Sequence, residues 1–386
     1  MWKLLLLLMA MRIMGQQNWV PCSELNDDLR YPCRCKVQVD RALQLGILMN
    51  CDRVVFAGDF PALPYGAPIV SFSQRWAGQQ SLPTQIFSSY GLPLKELDFS
   101  HNSLRRLPDR LLSGVKGNIT KLALADNLLG DNLNPIFSTA EFHNLPALEE
   151  LDLSGNSIRG LEEGLLIGCD VLKTLRLDRN NMNSVPSSSL NGPQSLKVLS
   201  LRENRIAVIR QASFVSPQKT LEEIDLHSNM ISTVEGGTFV SLRDLQVLDL
   251  GRNRLSKFNS DVFLGIENLQ KLDLSENFIT DFPTVAMKSF VALRQLNLSS
   301  NMITNIDNSH LSSLVSLQVL DLSRNNLVKL SPGTFVGLTE LRYLDVGVNS
   351  LRTVEDDAFD GLTSLQTLLL QSSHKQLLSI SKRYVT

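Results

Sequence analysis

A pattern of apolar residues and one asparagine recurs along most of this chain, and it limits the fold more than any other feature of the sequence. The stretch from Leu148 to Ile158 reads LEELDLSGNSI, and it recurs as LQVLDLGRNRL from Leu245 and as LQVLDLSRNNL from Leu317. The same frame fits eleven times, and the asparagines recur at a nearly constant spacing with one longer interval, between Asn127 and Asn156. Self-similarity at a fixed period of this size is typical of a solenoid in which each repeat is one coil.

Within each repeat, leucines alternate with other residues before the asparagine, which predicts a short strand with one buried face. We expect each asparagine to turn the chain and to satisfy backbone groups with its buried amide. The eleven asparagines are Asn102, Asn127, Asn156, Asn180, Asn204, Asn229, Asn253, Asn277, Asn301, Asn325 and Asn349. Ten positions after each asparagine comes a bulky apolar residue, which predicts a second buried column. Ordering one repeat costs more free energy than its apolar burial returns, so the array is stable only collectively and needs covered ends.

A cluster of cysteines near the N-terminus predicts such a cover. Cys22, Cys33, Cys35 and Cys51 lie close together in the sequence, and a local disulfide-bonded cap is the expected structure in an oxidising compartment. Cys33 and Cys35 are too close in an extended segment to bridge each other comfortably, so each should pair with one of the outer two cysteines. A zinc site is the alternative. The fifth cysteine, Cys169, stands where other repeats carry leucine, and we expect a buried core thiol.

The first 15 residues have the pattern of a secretory signal peptide. Lys3 is followed by an apolar run from Leu4 to Met11, and Gly15 precedes the polar residues Gln16 and Gln17. The alternative is a short membrane anchor, but this apolar run is much shorter than the roughly 20 residues that span a bilayer. The sequence therefore predicts a protein that is secreted into the extracellular matrix or held at the cell surface.

The frame LxxLxLxxNxL and the cysteine cluster together resemble the leucine-rich-repeat superfamily, and the resemblance covers the chain from Cys22 to Leu370. It implies an α/β repeat solenoid, a leucine-rich-repeat horseshoe with short parallel strands on its concave face and a disulfide-bonded N-terminal cap. It also implies the cap pairing Cys22–Cys35 and Cys33–Cys51.

The expected organisation has four segments along the chain. They are a signal peptide (1–15), a cysteine-rich cap (16–66), an array of about 12 repeats (67–371) and an aberrant, unstructured tail (372–386). The array begins with a degenerate repeat in which Ala77 replaces the asparagine, and Ser373 replaces it at the other end. Two interpretations of this end stay open: an incomplete or truncated product, or a short form whose last repeat is covered by a partner or a second copy.

Three segments outside the repeated frame carry a narrower resemblance. They are CDRVVF (51–56), PYGAPIVSF (64–72) and NLLGDNLNPIFSTAE (127–141). These segments are similar to the N-terminal part of the insect artichoke family, matrix proteins related to chaoptin. The resemblance implies many more repeats and an adhesive or matrix function.

The exposed face of the strands is the expected functional surface, and we expect it to bind an extracellular or cell-surface protein, with a matrix glycan as an alternative. The 37 basic and 39 acidic residues nearly balance, so nothing in the bulk charge favours nucleic acid, and we expect none as a partner. The sequence contains no metalloprotease, phosphate-binding or nucleophile-elbow motif, so we expect neither catalysis nor a cofactor or metal. Cell adhesion or matrix organisation is the leading hypothesis, and a receptor ectodomain or decoy for a soluble protein, including an innate-immune one, is the alternative.

Three groups of residues are candidate sites on this face or, for Asn118, near its rim. Aspartate recurs at the middle exposed strand position, which favours a structural role in the repeat over a calcium ladder. Two N-glycosylation sequons begin at Asn118 and Asn297, and a glycan on Asn297 would project from the concave face and restrict docking to the N-terminal half. A basic group on two adjacent strands could receive an acidic loop or a sulfated glycan. Its members are Lys173, Arg176, Arg179, Lys197 and Arg202.

Overall fold

The computed structural model describes residues 18–25, 32–39, 44–56, 63, 67–84, 86–87, 91–130, 136–214 and 220–371. The predicted signal peptide (1–15) and tail (372–386) lie outside these residues. The chain forms two compact units. Unit 1 comprises the described residues up to Asn181 together with Ser188–Leu196, and unit 2 comprises Met182–Ser187 and the described residues from Lys197 onward.

Unit 1 opens with antiparallel strands and continues as a parallel sheet. Its strands are β1 (Val20–Pro21), β2 (Arg34–Val39), β3 (Leu45–Asn50), β4 (Ile69–Ser73), β5 (Glu96–Asp98), β6 (Lys121–Ala123), β7 (Ile136–Phe137), β8 (Glu150–Asp152), β9 (Gly160–Leu161) and β10 (Thr174–Arg176). β2 pairs antiparallel with β1 and β3, whereas β3-β4-β5-β6-β8-β10 are parallel neighbours in that order. β7 and β9 form a separate parallel pair. Helix α1 (Cys22–Leu25) and two 3-10 helices (Ala140–Phe142 and Ser189–Asn191) also belong to this unit.

Two disulfides hold the first strands of unit 1 together. Cys22 bonds to Cys35 and Cys33 bonds to Cys51, and all four cysteines are buried. This is the pairing that the leucine-rich-repeat resemblance implies, and the predicted disulfide-bonded cap is confirmed. Because β3 pairs with both β2 and β4, the cap provides the first edge of the parallel sheet and covers the apolar end of the array.

Unit 2 is a second stack of parallel strands. Its strands are β11 (Val198–Ser200), β12 (Val208–Ile209), β13 (Glu223–Asp225), β14 (Thr233–Val234), β15 (Val247–Asp249), β16 (Lys271–Asp273), β17 (Gln295–Asn297), β18 (Val319–Asp321), β19 (Lys329–Leu330), β20 (Tyr343–Asp345), β21 (Thr353–Val354) and β22 (Thr367–Leu369). The parallel sheet has the order β11-β13-β15-β16-β17-β18-β20-β22. β12 pairs with β14 and β19 with β21. A 3-10 helix (Gln211–Phe214) and helix α2 (Asn308–Leu311) lie between strands.

The strands of unit 2 pair without a shift in register, so equivalent leucines stack into a buried column. Leu248, Leu272 and Leu296 are paired directly across three strands and are at most 1% exposed. The second predicted column is confirmed as well: the ring of Phe239 stacks between Phe214 and Phe263, with centroids 5.8 and 6.4 Å away. Burial of each such side chain contributes about 1.5–3 kcal/mol. The sequence frame thus repeats because every coil fills the same two columns.

Cys169 lies in the core of unit 1, as its place in the frame predicts. It is buried, it is not in a disulfide, and its thiol donates a hydrogen bond to the carbonyl oxygen of Phe142 at 3.2 Å. Burial raises the pKa of this thiol to about 11. A protonated, inaccessible thiol is unreactive at neutral pH, so Cys169 acts as a small apolar residue.

The asparagine side chains join consecutive coils. Asn277 is typical: its amide nitrogen donates to the carbonyl oxygens of Leu250 in the preceding coil at 3.0 Å and of Leu274 and Ser275 in its own coil at 3.1 and 3.0 Å. Its Oδ1 accepts the N–H of Leu255 at 2.9 Å. One buried side chain therefore bonds to four backbone groups, of which, within the described residues, only the carbonyl oxygen of Ser275 also accepts a backbone N–H, that of Arg252 at 2.7 Å. Neither aspartate, which has no N–H, nor leucine can replace it.

A matched pair of neighbouring asparagines tests this role. Asn325 is 5% exposed; it donates to the carbonyl oxygens of Leu298, Leu322 and Ser323 and accepts the N–H of Ile303. Asn325→Asp keeps the shape but places a carboxylate against three carbonyl oxygens, so we expect a loss of about 3 kcal/mol in the free energy of unfolding, measured by chemical denaturation. The control is Asn326→Asp at the adjacent exposed position, which should change stability by less than about 0.5 kcal/mol. Equal effects of the two substitutions would contradict the assignment.

Candidate functional site

Seven strands in the described part of the chain end in an aspartate that is tied to the following turn. Oδ1 of Asp152 in unit 1 accepts the N–H of Ser154 at 2.9 Å, and Oδ1 of Asp249 in unit 2 accepts the N–H of Gly251 at 2.8 Å. The same bond is made at Asp98, Asp225, Asp273, Asn297, Asp321 and Asp345. This recurring aspartate therefore has a structural function. Among the residues that the structure describes, no group of three or more His, Cys, Asp or Glu side chains is arranged to hold a metal ion.

In unit 1 the exposed strand face contains a depression of about 500 Å³. Ala123, at the end of β6, pairs with Asp98 of β5 on one side and with Asp152 of β8 on the other. Ala125 follows in the same coil, and both alanines line the depression. The depression exists because these two positions carry only methyl groups between coils with longer polar side chains.

A chain of polar contacts runs along one border of this depression. The carboxylate of Asp126 lies 3.2 Å from Nδ1 of His101 and 3.0 Å from the guanidinium of Arg179. Arg179 reaches Asp126 across the intervening coil, where Gly155 adopts a φ of 65°. A Cβ atom at Gly155 would clash with Oδ1 of Asp126, so glycine is required here to leave space for the carboxylate.

An aromatic ring extends this border toward the cap. The ring of Trp76 stacks on His101 with centroids 4.5 Å apart, and the guanidinium of Arg75 lies 4.9 Å from the Trp76 centroid. Arg75 also forms an ion pair of 2.6 Å with Asp52. Burial raises the pKa of Asp52, but hydrogen bonds from Arg75 and Ser73 outweigh that effect and leave the pKa below its ordinary value. Arg75 is thereby fixed beside the depression by a charged partner and an aromatic ring.

The predicted basic group is divided between the two units and is largely neutralised. In unit 1, Lys173 pairs with Glu149 at 2.9 Å and Arg179 pairs with Asp126. In unit 2, Lys197 pairs with Glu222 at 2.7 Å and Arg202 with Glu203 at 3.3 Å. Only Arg176 is exposed without an ion pair to any residue that the structure describes. Four of the five cations therefore carry compensated charge, which leaves little net attraction for an acidic loop or a sulfated glycan.

The strand face of unit 2 is bordered by a different set of contacts. Nδ1 of His227 lies 3.2 Å from Asp249. The neighbouring Asp225 has a raised pKa, because it is buried and because it lies near the negative charge of Asp249. Asn297 uses both ends of its amide: its nitrogen donates to Asp273 at 2.9 Å and its oxygen accepts the N–H of Ser299 at 3.0 Å. The sequon asparagine in this face thus serves the sheet itself, whereas Asn118 is exposed in a turn.

Sequence reasoning did not identify the contacts that border the depression. Trp76, His101, Asp126, Gly155 and Arg179 each stand immediately before the turn position, and each has a φ between 51° and 65°. The repeat frame places them in one row along consecutive coils of unit 1. An alignment of the repeats could therefore have indicated these contacts. In such an alignment, side chains of complementary chemistry follow one another at the position immediately before the turn residue.

Comparisons with known proteins agree with this architecture. A sequence profile described as leucine rich repeat matches residues 118–182, 170–219, 219–279, 267–327 and 315–374. Among solved structures, the Drosophila Toll–Spatzle complex matches with a TM-score of 0.68 and 21% identity over 80% of this chain and 43% of that one. The TLR13–ssRNA13 complex matches with a TM-score of 0.63 and 23% identity, over 79% of this chain and 51% of that one.

A plant structure matches as well. The peptide hormone receptor RGFR1 in complex with RGF2 gives a TM-score of 0.58 and 25% identity, over 80% of this chain and 49% of that one. The chain spans about half the length of each of these three proteins. No curated protein sequence matches the chain significantly. Within the described residues, no helix has the length and apolar character needed to cross a membrane.

The raised pKa of Asp225 predicts a pH-dependent gain in stability on substitution. The folded state holds this proton more tightly than the unfolded chain does, so stability falls as pH rises from the ordinary value of 3.8 through the folded pKa. Asp225→Asn, which can keep the turn hydrogen bond as Asn297 does, should raise the thermal midpoint at pH 7 by about 2 °C. The gain should vanish near pH 3.

The matched control is Asp345→Asn, at the same strand position and with the same turn bond from Gly347. It measures the effect of the amide substitution itself. The thermal midpoints of both variants and of the wild type are measured at pH 7 and pH 3. An increase in the midpoint of Asp225→Asn that is equal at the two pH values would contradict the raised pKa of Asp225.

Proposed function

The chain belongs to the leucine-rich-repeat family, and from that premise we propose that the exposed face of its parallel strands binds extracellular proteins in cell adhesion or matrix organisation. One observation carries this proposal: the strand face is open and polar, and its side chains are ordered, since seven aspartates are tied to the turns and Lys173 and Arg179 are paired with carboxylates. A surface ordered before binding loses little side-chain entropy when a partner docks. An open face does not exclude water from a reacting bond, so we propose no catalytic role.

An adhesive or matrix role rests on the resemblance of three segments to the artichoke family. Two further features support an extracellular setting. The cap contains two disulfides, which persist in oxidising compartments, and residues 1–15 have the composition of a signal peptide. Secretion and residence in the matrix or at the cell surface are therefore part of the proposal.

A receptor ectodomain for a soluble protein is the second candidate function. The supporting observation is the shared fold with Toll in complex with Spatzle and with RGFR1 in complex with RGF2. A protein or peptide is favoured as the ligand over RNA, which the TLR13 complex contains, because four of the five side chains of the predicted basic group are compensated by carboxylates.

Glycosylation belongs to the same proposal. Asn118 is exposed and accessible to modification, so a glycan is expected there. The amide nitrogen of Asn297 donates to Asp273, and a glycan on that nitrogen would cover the strand face of unit 2. Occupancy of Asn297 would direct partners toward unit 1, where the depression lies and where Arg176 retains an uncompensated charge for an acidic group.

Glycans introduced by single substitutions test the use of the strand face. Asp152→Asn and Asp321→Asn each create the sequon Asn-Leu-Ser at the end of a strand. Because a glycan there blocks docking, we expect one or both variants to bind at least about tenfold more weakly than wild type. The measurement is the binding of the purified secreted chain to matrix deposited by cultured insect cells and to the surface of live cells.

Two controls separate blocking from misfolding. Gln211→Asn creates the sequon Asn-Ala-Ser at an exposed position outside the parallel sheet and should leave binding unchanged. Peptide-N-glycosidase converts a glycosylated asparagine into aspartate, so treatment restores the wild-type residue at position 152 or 321 and should restore binding. Wild-type binding by both glycosylated strand variants would overturn the proposed function.

A further inference from the structure

The depression in unit 1 is a gap in an otherwise continuous row of charged side chains. At the last position of four adjacent strands the row reads Asp98, Ala123, Asp152 and Arg176, each paired directly with the next. Ala123 therefore lies between two carboxylates whose strands are two spacings, or about 10 Å, apart. This leaves room for a flat polar group above the alanine, with a carboxylate on either side.

The strand positions on either side of the gap carry carboxylates, and two of the three arginines that line the depression are already paired. Arg75 is committed to Asp52 at 2.6 Å and lies 3.7 Å from Asp98, and Arg179 is committed to Asp126. Asp152 makes its turn hydrogen bond to Ser154 but no ion pair with any residue in the described part of the chain. The third arginine, Arg176, has no ion pair within the described residues; it also lines the depression, one strand beyond Asp152 from Ala123. A ligand that enters over Ala123 thus meets carboxylates first, which favours a cation.

A second observation, independent of the charges, indicates a missing partner. Ser154 lines the depression and is 5% exposed, yet its hydroxyl oxygen is buried without a hydrogen-bond partner among the described residues. At the same position of other coils the hydroxyl is satisfied: Ser275 donates to Asp273 at 2.6 Å, and Ser100 accepts the N–H of Ala125 at 3.2 Å. A buried hydroxyl left unpaired is unfavourable, so a ligand that supplies a donor gains affinity here.

We propose that this depression binds an arginine side chain of the partner protein, with its guanidinium over Ala123 and Ala125. The group donates to Asp98 and Asp152 on opposite sides and to the oxygen of Ser154. A guanidinium has five N–H donors in one plane and can engage both carboxylates at once, whereas the ammonium of lysine concentrates its donors at one point. The assignment rests on the proposed function, since it names the side-chain chemistry that the strand face selects.

Short peptides test the assignment without knowledge of the partner. The probes are the acetylated, amidated pentapeptides Gly-Gly-Arg-Gly-Gly and its lysine and citrulline counterparts; citrulline keeps the shape of arginine without the charge. Binding to the full secreted chain is measured by saturation-transfer NMR with titration. The arginine peptide should bind about tenfold more tightly than the citrulline peptide and more tightly than the lysine peptide.

Variants locate the binding. Asp152→Ala should weaken binding of the arginine peptide about tenfold, whereas Asp321→Ala, which loses the same turn hydrogen bond in unit 2, should change it less than about twofold. Ala123→Leu fills the gap without changing a charge and should abolish binding. Ser154→Ala should weaken binding without lowering the thermal midpoint, since it removes an unpaired buried group.

Equal binding of the arginine and citrulline peptides, or equal effects of Asp152→Ala and Asp321→Ala, would overturn the assignment. These outcomes are distinguishable from failure of the proposed function. If the glycosylated strand variants lose matrix binding but the arginine peptide does not bind, the strand face is the docking surface and the arginine assignment is wrong. If the glycosylated variants keep matrix binding, the proposed function fails whatever the peptides do.

Discussion

The buried hydrogen bonds of the asparagine side chains are the interaction on which the rest of this protein depends. Each coil turns sharply after its strand and would leave carbonyl and N–H groups unpaired in an apolar interior. Asn277 bonds to three carbonyl groups and one N–H group with a single amide, and it does so across two coils. Because each asparagine bonds to the preceding coil, it fixes the spacing and the register of the strands. The buried columns of leucine and phenylalanine then follow from that register.

The same geometry determines what the exposed face can become. With the backbone fixed by buried groups, outward-facing positions tolerate different side chains, and neighbours in the row lie one strand spacing apart. In unit 1 this freedom produces the row from Trp76 to Arg179 and the gap over Ala123. In unit 2 it produces the pair of His227 and Asp249. Binding specificity in this architecture therefore arises from a few substitutions on a constant frame.

The sequence predicted the parts of the structure that repeat. The strands, the buried asparagines and the core position of Cys169 follow from a pattern that recurs once in every coil. The place of a residue within this repeat frame is enough to predict whether it is buried. The candidate site was harder to predict because its contacts join different coils: Arg179 meets Asp126 across 53 positions, and only because Gly155 leaves space between them. The predicted basic group illustrates the same limit, since sequence alone did not show that Glu149 and Glu222 neutralise Lys173 and Lys197.

Amide hydrogen exchange at single-residue resolution tests the central role of the asparagine side chains most directly. The informative amides are those that donate only to an asparagine oxygen of the next coil, such as Leu129, Ile231, Leu255 and Ile303. These residues lie outside the strands, so without the bonds to the asparagine side chains their amides would have no hydrogen-bond partner to slow their exchange. We expect them to exchange as slowly as the amides at the strand centres, such as Leu272 and Leu296. Exchange at the rate of exposed turn amides would contradict the account.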